Sequence, residues 1–266
     1  MKKTQKPRGW LVSRQVIEDA LAKATVQLSA QEYDAVIRTC KRILHYLPKQ
    51  EKLRAQALGL MGMAYALQKR FEESYQILND AVQLDPADAA LLFNRALSAR
   101  FTSRSGQSLR DFEMIASMDM DHLISNRIND ELEIARKVAF SERDMRGPDF
   151  TLEQLIEQQE LFQHGNYLSG QARWIEAEAS FRKSIAMGDC LPQPWGNLGI
   201  CLLMQNRFNE ADAALQRALI IDPGYERARE NLVGLDYWRE HPDEKPEFQV
   251  TSPFQDMETN VTIYPE

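Results

Sequence analysis

The sequence predicts an all-α protein built from a repeated pair of helices, and two observations lead to this fold class. The chain of 266 residues has 44% hydrophobic and 27% charged residues, a composition typical of a globular protein. Its 12 Gly and 11 Pro are too few for the many tight turns of an all-β chain. Residues 56–86 and 193–223 also align with each other without a gap, and an internal period of this length is typical of stacked helical repeats.

The two aligned segments place small and large residues at matching positions. A glycine is followed at fixed intervals by a phenylalanine, an alanine and a terminal proline, namely Gly62, Phe71, Ala81 and Pro86 in one segment and Gly199, Phe208, Ala218 and Pro223 in the other. Small residues are expected where two helix backbones approach closely, and the proline should end the second helix of the pair. Each segment therefore predicts two antiparallel, closely packed helices.

This pattern resembles the tetratricopeptide repeat, in which W-x2-L-G-x2-Y is followed by A-x3-F and then by Pro. Most of that motif is supplied by Trp195, Leu198, Gly199, Ala211, Ala218 and Pro223. The resemblance implies a right-handed α-solenoid of about five helix pairs. Full copies end at Pro48, Pro86 and Pro223 and weaker copies end at Met120 and Asp189, so the spacings are 38, 34, 69 and 34 residues.

The wide spacing between the third and fourth copies predicts two sub-arrays, residues 13–122 with three repeats and residues 151–238 with two. Residues 123–150 would join them. This joining segment should begin with an extra helix, because apolar residues recur there at helical intervals. They are Ile124, Ile128, Leu132, Ala135 and Val138. Gly147 and Pro148 should end the helix and leave a loop.

The remaining boundaries follow from capping and composition. Thr151 with Gln154 predicts a capping box at the start of the fourth repeat. Residues 225–238 continue the repeat register without a partner helix, which predicts a C-terminal capping helix. Residues 1–12 are predicted to be a flexible basic terminus, and residues 239–266 a disordered acidic tail.

Charge and motifs restrict the possible functions. The 32 Lys and Arg against 39 Asp and Glu give a net charge of −7, which disfavours nucleic acid as a partner. No apolar run is long enough for a signal peptide or a membrane span, so we expect a cytoplasmic protein without membrane insertion. Cys40, Cys190 and Cys201 contain no CxxC motif, which predicts free thiols. The four histidines show no metal-ligand spacing and no catalytic motif occurs, so we expect no metal, no cofactor and no enzymatic activity.

The resemblance also implies a binding groove, because the first helices of successive repeats line the concave face in this family. The positions that face the ligand are unusually apolar here and are occupied by Met63, Leu67, Phe93, Leu97, Phe101, Phe162, Ile200, Leu203 and Met204. An exposed apolar strip of this extent marks a binding surface, and methionine suits ligands of irregular shape. The alternative is internal cover by the joining helix, the tail or a second copy of the chain.

Three polar residues of the groove match part of the clamp with which co-chaperones of this family hold a terminal carboxylate. Asn166, Asn197 and Arg227 occupy clamp positions, whereas Phe162 and Asn231 replace a lysine and an arginine. Because two of the expected cations are missing, we expect weak carboxylate binding. Arg100 adds a further cation to the predicted groove.

These features predict a scaffold that binds a peptide or an amphipathic helix of a partner protein in an apolar groove, without catalysis. Self-association through the groove or the tail is also compatible with the sequence. One alternative is a chaperone for secreted or assembling subunits. Another is an accessory module of an enzyme complex that uses the charged residues of segment 141–150, which are Glu142, Arg143, Asp144, Arg146 and Asp149.

Overall fold

The computed structural model describes residues 13–48, 52–119 and 121–244. The predicted flexible N-terminus and most of the predicted acidic tail lie outside these residues. Twelve α-helices and no strand occur in the described parts of the chain. The helices are α1 (Arg14–Ser29), α2 (Tyr33–Leu44), α3 (Lys52–Leu67), α4 (Phe71–Leu84), α5 (Ala89–Phe101), α6 (Ser105–Ala116), α7 (His122–Asp144), α8 (Leu152–Gly170), α9 (Trp174–Met187), α10 (Pro192–Met204), α11 (Phe208–Ile221) and α12 (Glu226–Glu240).

The predicted helical repeat fold is confirmed. The helices form five pairs, α1 with α2, α3 with α4, α5 with α6, α8 with α9 and α10 with α11. The extra helix α7 lies between the third and fourth pairs in the sequence, and α12 follows the last pair. The Thr151 capping box is also present, because Thr151 Oγ1 accepts from the Gln154 amide at 3.1 Å and the Thr151 amide donates to Gln154 Oε1 at 2.8 Å.

The turns within the five helix pairs share one backbone feature. Each turn contains a residue other than glycine with φ between 55° and 63°, and these residues are Gln31, Lys69, Ser103, Ala172 and Asn206. Their spacings are 38, 34, 69 and 34 residues, the same intervals as the predicted repeat ends. The left-handed conformation reverses the chain between the two helices. The weak third and fourth copies therefore have the same turn geometry as the full copies.

The described chain forms two compact units. Unit 1 consists of residues 13–102 with 110–132, and unit 2 consists of residues 103–109 with 133–244. The divisions fall inside α6 and inside α7, so both helices contribute residues to each unit. The predicted sub-arrays 13–122 and 151–238 were defined by the positions of the repeats in the sequence, whereas the two units are defined by contacts. The bounds of the sub-arrays therefore stay predictions.

Close helix packing explains the small residues of the repeat. In unit 1, a Cβ atom added to Gly62 would lie 2.5 Å from Leu78 Cγ, and Ser74 Oγ donates to the Gly62 carbonyl at 2.9 Å. In unit 2, a Cβ atom at Gly199 would lie 2.7 Å from Leu215 Cγ. Real Cβ contacts are longer than this, so only glycine permits these helix crossings.

Candidate functional site

The first helices of successive pairs are neighbours within each unit. Helices α1, α3 and α5 form such a row in unit 1, and α8, α10 and α12 form one in unit 2. The predicted groove residues lie on these rows.

In unit 1, the predicted exposure is wrong for two residues of α5. Phe93 is 0% exposed and Leu97 is 4% exposed. The Phe93 ring packs edge-on against Phe112 of α6, with ring centroids 5.7 Å apart. Nine consecutive α5 residues, 91–99, are buried, because neighbouring helices cover the helix on several sides. Met63 and Leu67 of α3 are half-buried and keep some access to solvent.

The first part of α7 contacts the end of α5. Arg100 Nη1 of α5 donates to Glu131 Oε2 of α7 at 2.7 Å, and Ile128 of α7 is 1% exposed. Phe101 stacks on Phe71 of α4 with ring centroids 4.4 Å apart. A hydrogen bond therefore joins α7 to the end of α5, and Arg100 is paired within the chain.

In unit 2, more of the predicted groove residues remain accessible to solvent. Phe162, Ile200 and Met204 are half-buried on α8 and α10. Phe162 contacts Phe181 of α9 with ring centroids 5.8 Å apart. The predicted exposure of Leu203 is wrong, because this side chain is 1% exposed and belongs to the unit 2 core.

The structure brings two of the predicted polar residues together. Asn197 Nδ2 of α10 donates to Asn166 Oδ1 of α8 at 2.8 Å, and Asn166 Nδ2 donates to Gln163 Oε1 at 3.1 Å. Each amide nitrogen carries a second hydrogen that these bonds do not use. Arg227 lies on α12 and is exposed. The row thus combines an amide pair, half-buried apolar side chains and an accessible cation.

Gln159 of α8 is buried in a polar network. Gln159 is 6% exposed; its Oε1 accepts from the Gly106 amide at 3.1 Å, and its Nε2 donates to Ser105 Oγ at 2.9 Å and to Glu142 Oε2 at 2.7 Å. Burial of a polar side chain is tolerated because all of these groups are satisfied. The only sequence signal for this network is the presence of a glutamine at a position of α8 that faces the core.

The charged segment 141–150 is held by the same part of unit 2. Arg146 donates through Nε to Gln158 Oε1 and through Nη1 to the Glu142 carbonyl. Burial lowers the pKa of the Arg146 guanidinium, which stays a structural cation. Arg143 pairs with Asp144 at 2.8 Å. These contacts give Glu142 and Arg146 a role in packing.

Other chemistry in the described chain is limited. Burial raises the pKa of the Cys40 thiol to about 12 and that of the Cys201 thiol to about 11, so both are poor nucleophiles at neutral pH. Within residues 13–48, 52–119 and 121–244, no group of three or more His, Cys, Asp and Glu side chains could hold a metal ion. Within the same ranges, no helix has the length and apolar character needed to cross a bilayer.

Comparison with known families decides the nature of the repeats. Residues 55–88 and residues 192–225 each match a model of the tetratricopeptide repeat family. The chain therefore contains tetratricopeptide repeats. Such arrays present extended surfaces for binding other proteins, so the chain is a protein-interaction scaffold.

Relatives of this repeat protein are distant. It is 25% identical over 195 residues to the human protein O-mannosyl-transferase TMTC1, a match that covers 69% of this chain and 21% of that protein. The chain thus spans about a fifth of the length of this relative. Similar solved structures include the TPR2AB domain of yeast Sti1 in a pHSP90 complex, with 15% identity, a TM-score of 0.40 and coverage of 86% of each chain. The P58(IPK) TPR domain has 10% identity and a TM-score of 0.44, with coverage of 85% of this chain and 66% of that one.

Proposed function

We propose that this repeat protein binds an extended peptide or an amphipathic helix of a partner protein on the α8–α10–α12 row of unit 2. The observation that carries the proposal is the Asn166–Asn197 hydrogen bond beside the half-buried Phe162, Ile200 and Met204. Apolar side chains supply affinity when a ligand covers them, at about 25 cal/mol per Å² of buried apolar surface. The spare amide hydrogens can donate to carbonyl groups of the ligand backbone.

Arg227 adds an exposed positive charge to the row and also interacts within the chain. The two cations missing from the clamp leave a terminal carboxylate incompletely bound. Apolar contact should therefore contribute more than charge, and affinity should depend only weakly on salt. The proposed role is binding without a chemical step.

The test compares two lysine substitutions in unit 2. Ile200→Lys places a charge on the proposed surface, whereas Ile175→Lys makes the same change on α9, where Ile175 is 72% exposed. Peptides selected from a displayed library on the intact chain serve as ligands. We expect Ile200→Lys to weaken their binding at least about tenfold, or ~1.4 kcal/mol. We expect Ile175→Lys to bind within about twofold of wild type, since the change lies outside the row.

Equal affinity of all three proteins would contradict the proposal, provided that their thermal unfolding curves agree. Substitutions at Phe93 or Leu97 are unsuitable for this experiment. Both side chains are buried, so a charge there would unfold unit 1 rather than probe binding.

A further inference from the structure

The first helix pair contains a cleft that is lined by two arginines. Arg38, Thr39 and Arg42 of α2 line it together with Ala35 and with Gln27 of α1, and its volume is about 350 Å³. Thr39 Oγ1 donates to Gln27 Oε1 at 3.1 Å across the cleft. In the described parts of the chain, neither Arg38 nor Arg42 makes an ion pair or a hydrogen bond.

The two arginines share one face of α2, because they lie four residues apart. Two like charges in this arrangement repel each other, and a nearby carboxylate normally relieves the repulsion. Among the four carboxylates of the first repeat, Glu18 pairs with Arg14, Asp19 accepts from Gln15, and Asp34 accepts from Gln68. In the described chain, none of these three nor Glu32 forms an ion pair with Arg38 or Arg42. The two arginines therefore make no direct ion pair within the described part of the first repeat, and Asp34, four residues before Arg38 on α2, is the nearest carboxylate along the helix.

The first repeat is also positive within an acidic protein. Residues 1–48 contain nine Lys and Arg against four Asp and Glu, whereas the whole chain has a net charge of −7. Residues 1–12 contribute four of these cations and no acid, so that segment cannot neutralise the arginine pair. Attraction between Arg42 and the helix dipole explains a cation in the last turn of α2, but it does not explain Arg38 or the cleft.

We propose that this cleft binds a dianionic phosphoryl group carried on a peptide segment of a partner protein. Two guanidinium groups match the double charge of a phosphoryl group and can donate forked hydrogen bonds to its oxygens. The cleft is open to solvent and both arginines are exposed, so one modified side chain can reach them. A membrane or a nucleic acid would present a broad array of charges to the whole acidic chain, and the net charge of −7 opposes that. This site lies on other helices than the proposed peptide-binding row and does not depend on it.

The test uses the full chain and three probes at constant ionic strength: a capped Ala-phosphoserine-Ala tripeptide, the same tripeptide without phosphate, and inorganic phosphate. Amide chemical shifts of Gln27, Arg38 and Thr39 are followed by NMR. The phosphotripeptide should shift these signals and saturate in the millimolar range, and inorganic phosphate should bind the same residues more weakly. The unphosphorylated tripeptide should leave them unchanged.

Three substitutions separate a specific site from general attraction. Arg38→Gln and Arg42→Gln should each weaken phosphotripeptide binding at least tenfold. Lys41→Gln is the matched control, because it removes the same charge from the same helix outside the cleft, and it should change binding less than twofold. Arg42→Lys keeps the positive charge but loses the paired N–H donors of the guanidinium. It should weaken phosphotripeptide binding by a factor between about twofold and tenfold.

Several results would overturn the inference. Equal weakening by Lys41→Gln would show attraction to the helix surface in general, and binding of the unphosphorylated tripeptide would exclude a phosphoryl site. Inorganic phosphate binding as tightly as the phosphotripeptide would assign the cleft to the free ion. Because both arginines are exposed, the variants should keep the wild-type melting temperature, which circular dichroism checks.

Discussion

Single small residues set the distance between the two helices of the second and fifth repeats. Ala81 and Ala218 are both 0% exposed, and Ala218 packs with Leu215 and Ala228 in a small cluster of unit 2. A larger side chain at such a site has no free volume and must displace a helix or adopt a strained rotamer. This explains in physical terms why these alanines recur at one position of the sequence period.

Ala218→Leu should therefore destabilise the protein by about 1–3 kcal/mol through overpacking. Ala213→Leu adds the same atoms to an exposed position of the same helix, α11, and should stay within about 0.5 kcal/mol of wild type. Urea unfolding curves of both variants measure the difference. Equal midpoints for the two would mean that position 218 tolerates a large side chain, which would contradict the packing inferred from its burial.

The positions of the helices were predictable from local sequence signals. The contacts between helices that are distant in sequence were not. The sequence predicts the extra helix α7 from its apolar spacing and the start of α8 from Thr151 and Gln154, because both signals are local. It does not predict that the first turn of α6 lies against α8, where a Cβ atom at Gly106 would lie 2.8 Å from Ile156 Cγ1. It also places Phe93, Leu97 and Leu203 at the surface, because burial depends on helices that are distant in sequence.

The contact between α6, α7 and α8 should depend on Gln159. Gln159→Leu removes the acceptor of the Gly106 amide and a donor to Glu142, leaving buried polar groups unsatisfied at about 1–3 kcal/mol. Gln193→Leu makes the same change at an exposed position of α10 and should be nearly neutral. Thermal unfolding followed by circular dichroism measures both. A Gln159→Leu protein as stable as the Gln193→Leu protein would show that the network contributes no net stability.

For the whole molecule, the division into two compact units predicts a separate stability for each. Unit 1 contains a buried ion pair in which Arg95 Nε and Nη2 donate to the two carboxylate oxygens of Asp111 at 2.7 and 2.6 Å. The Asp111 side chain is 0% exposed, so loss of its partner would leave a buried charge. Unit 1 also contains Cys40 and unit 2 contains Cys201, and both thiols are buried. Each cysteine can therefore report the unfolding of its own unit.

Pulse labelling with a maleimide in increasing urea should give different midpoints for Cys40 and Cys201. At pH 8 the native thiolate fractions are on the order of 10⁻⁴ and 10⁻³, because the pKa values of the two thiols are raised to about 12 and about 11. Labelling therefore follows unfolding, and mass spectrometry of tryptic peptides separates the two sites. Arg95→Met should cost unit 1 about 3–5 kcal/mol and lower the Cys40 midpoint while leaving the Cys201 midpoint unchanged. Ala218→Leu should do the reverse, since its buried neighbours belong to unit 2. A shift of both labelling midpoints by either substitution would mean that the two units unfold as one cooperative structure. A local loss of packing would then destabilise every repeat of the array, because each repeat is stabilised by its neighbours.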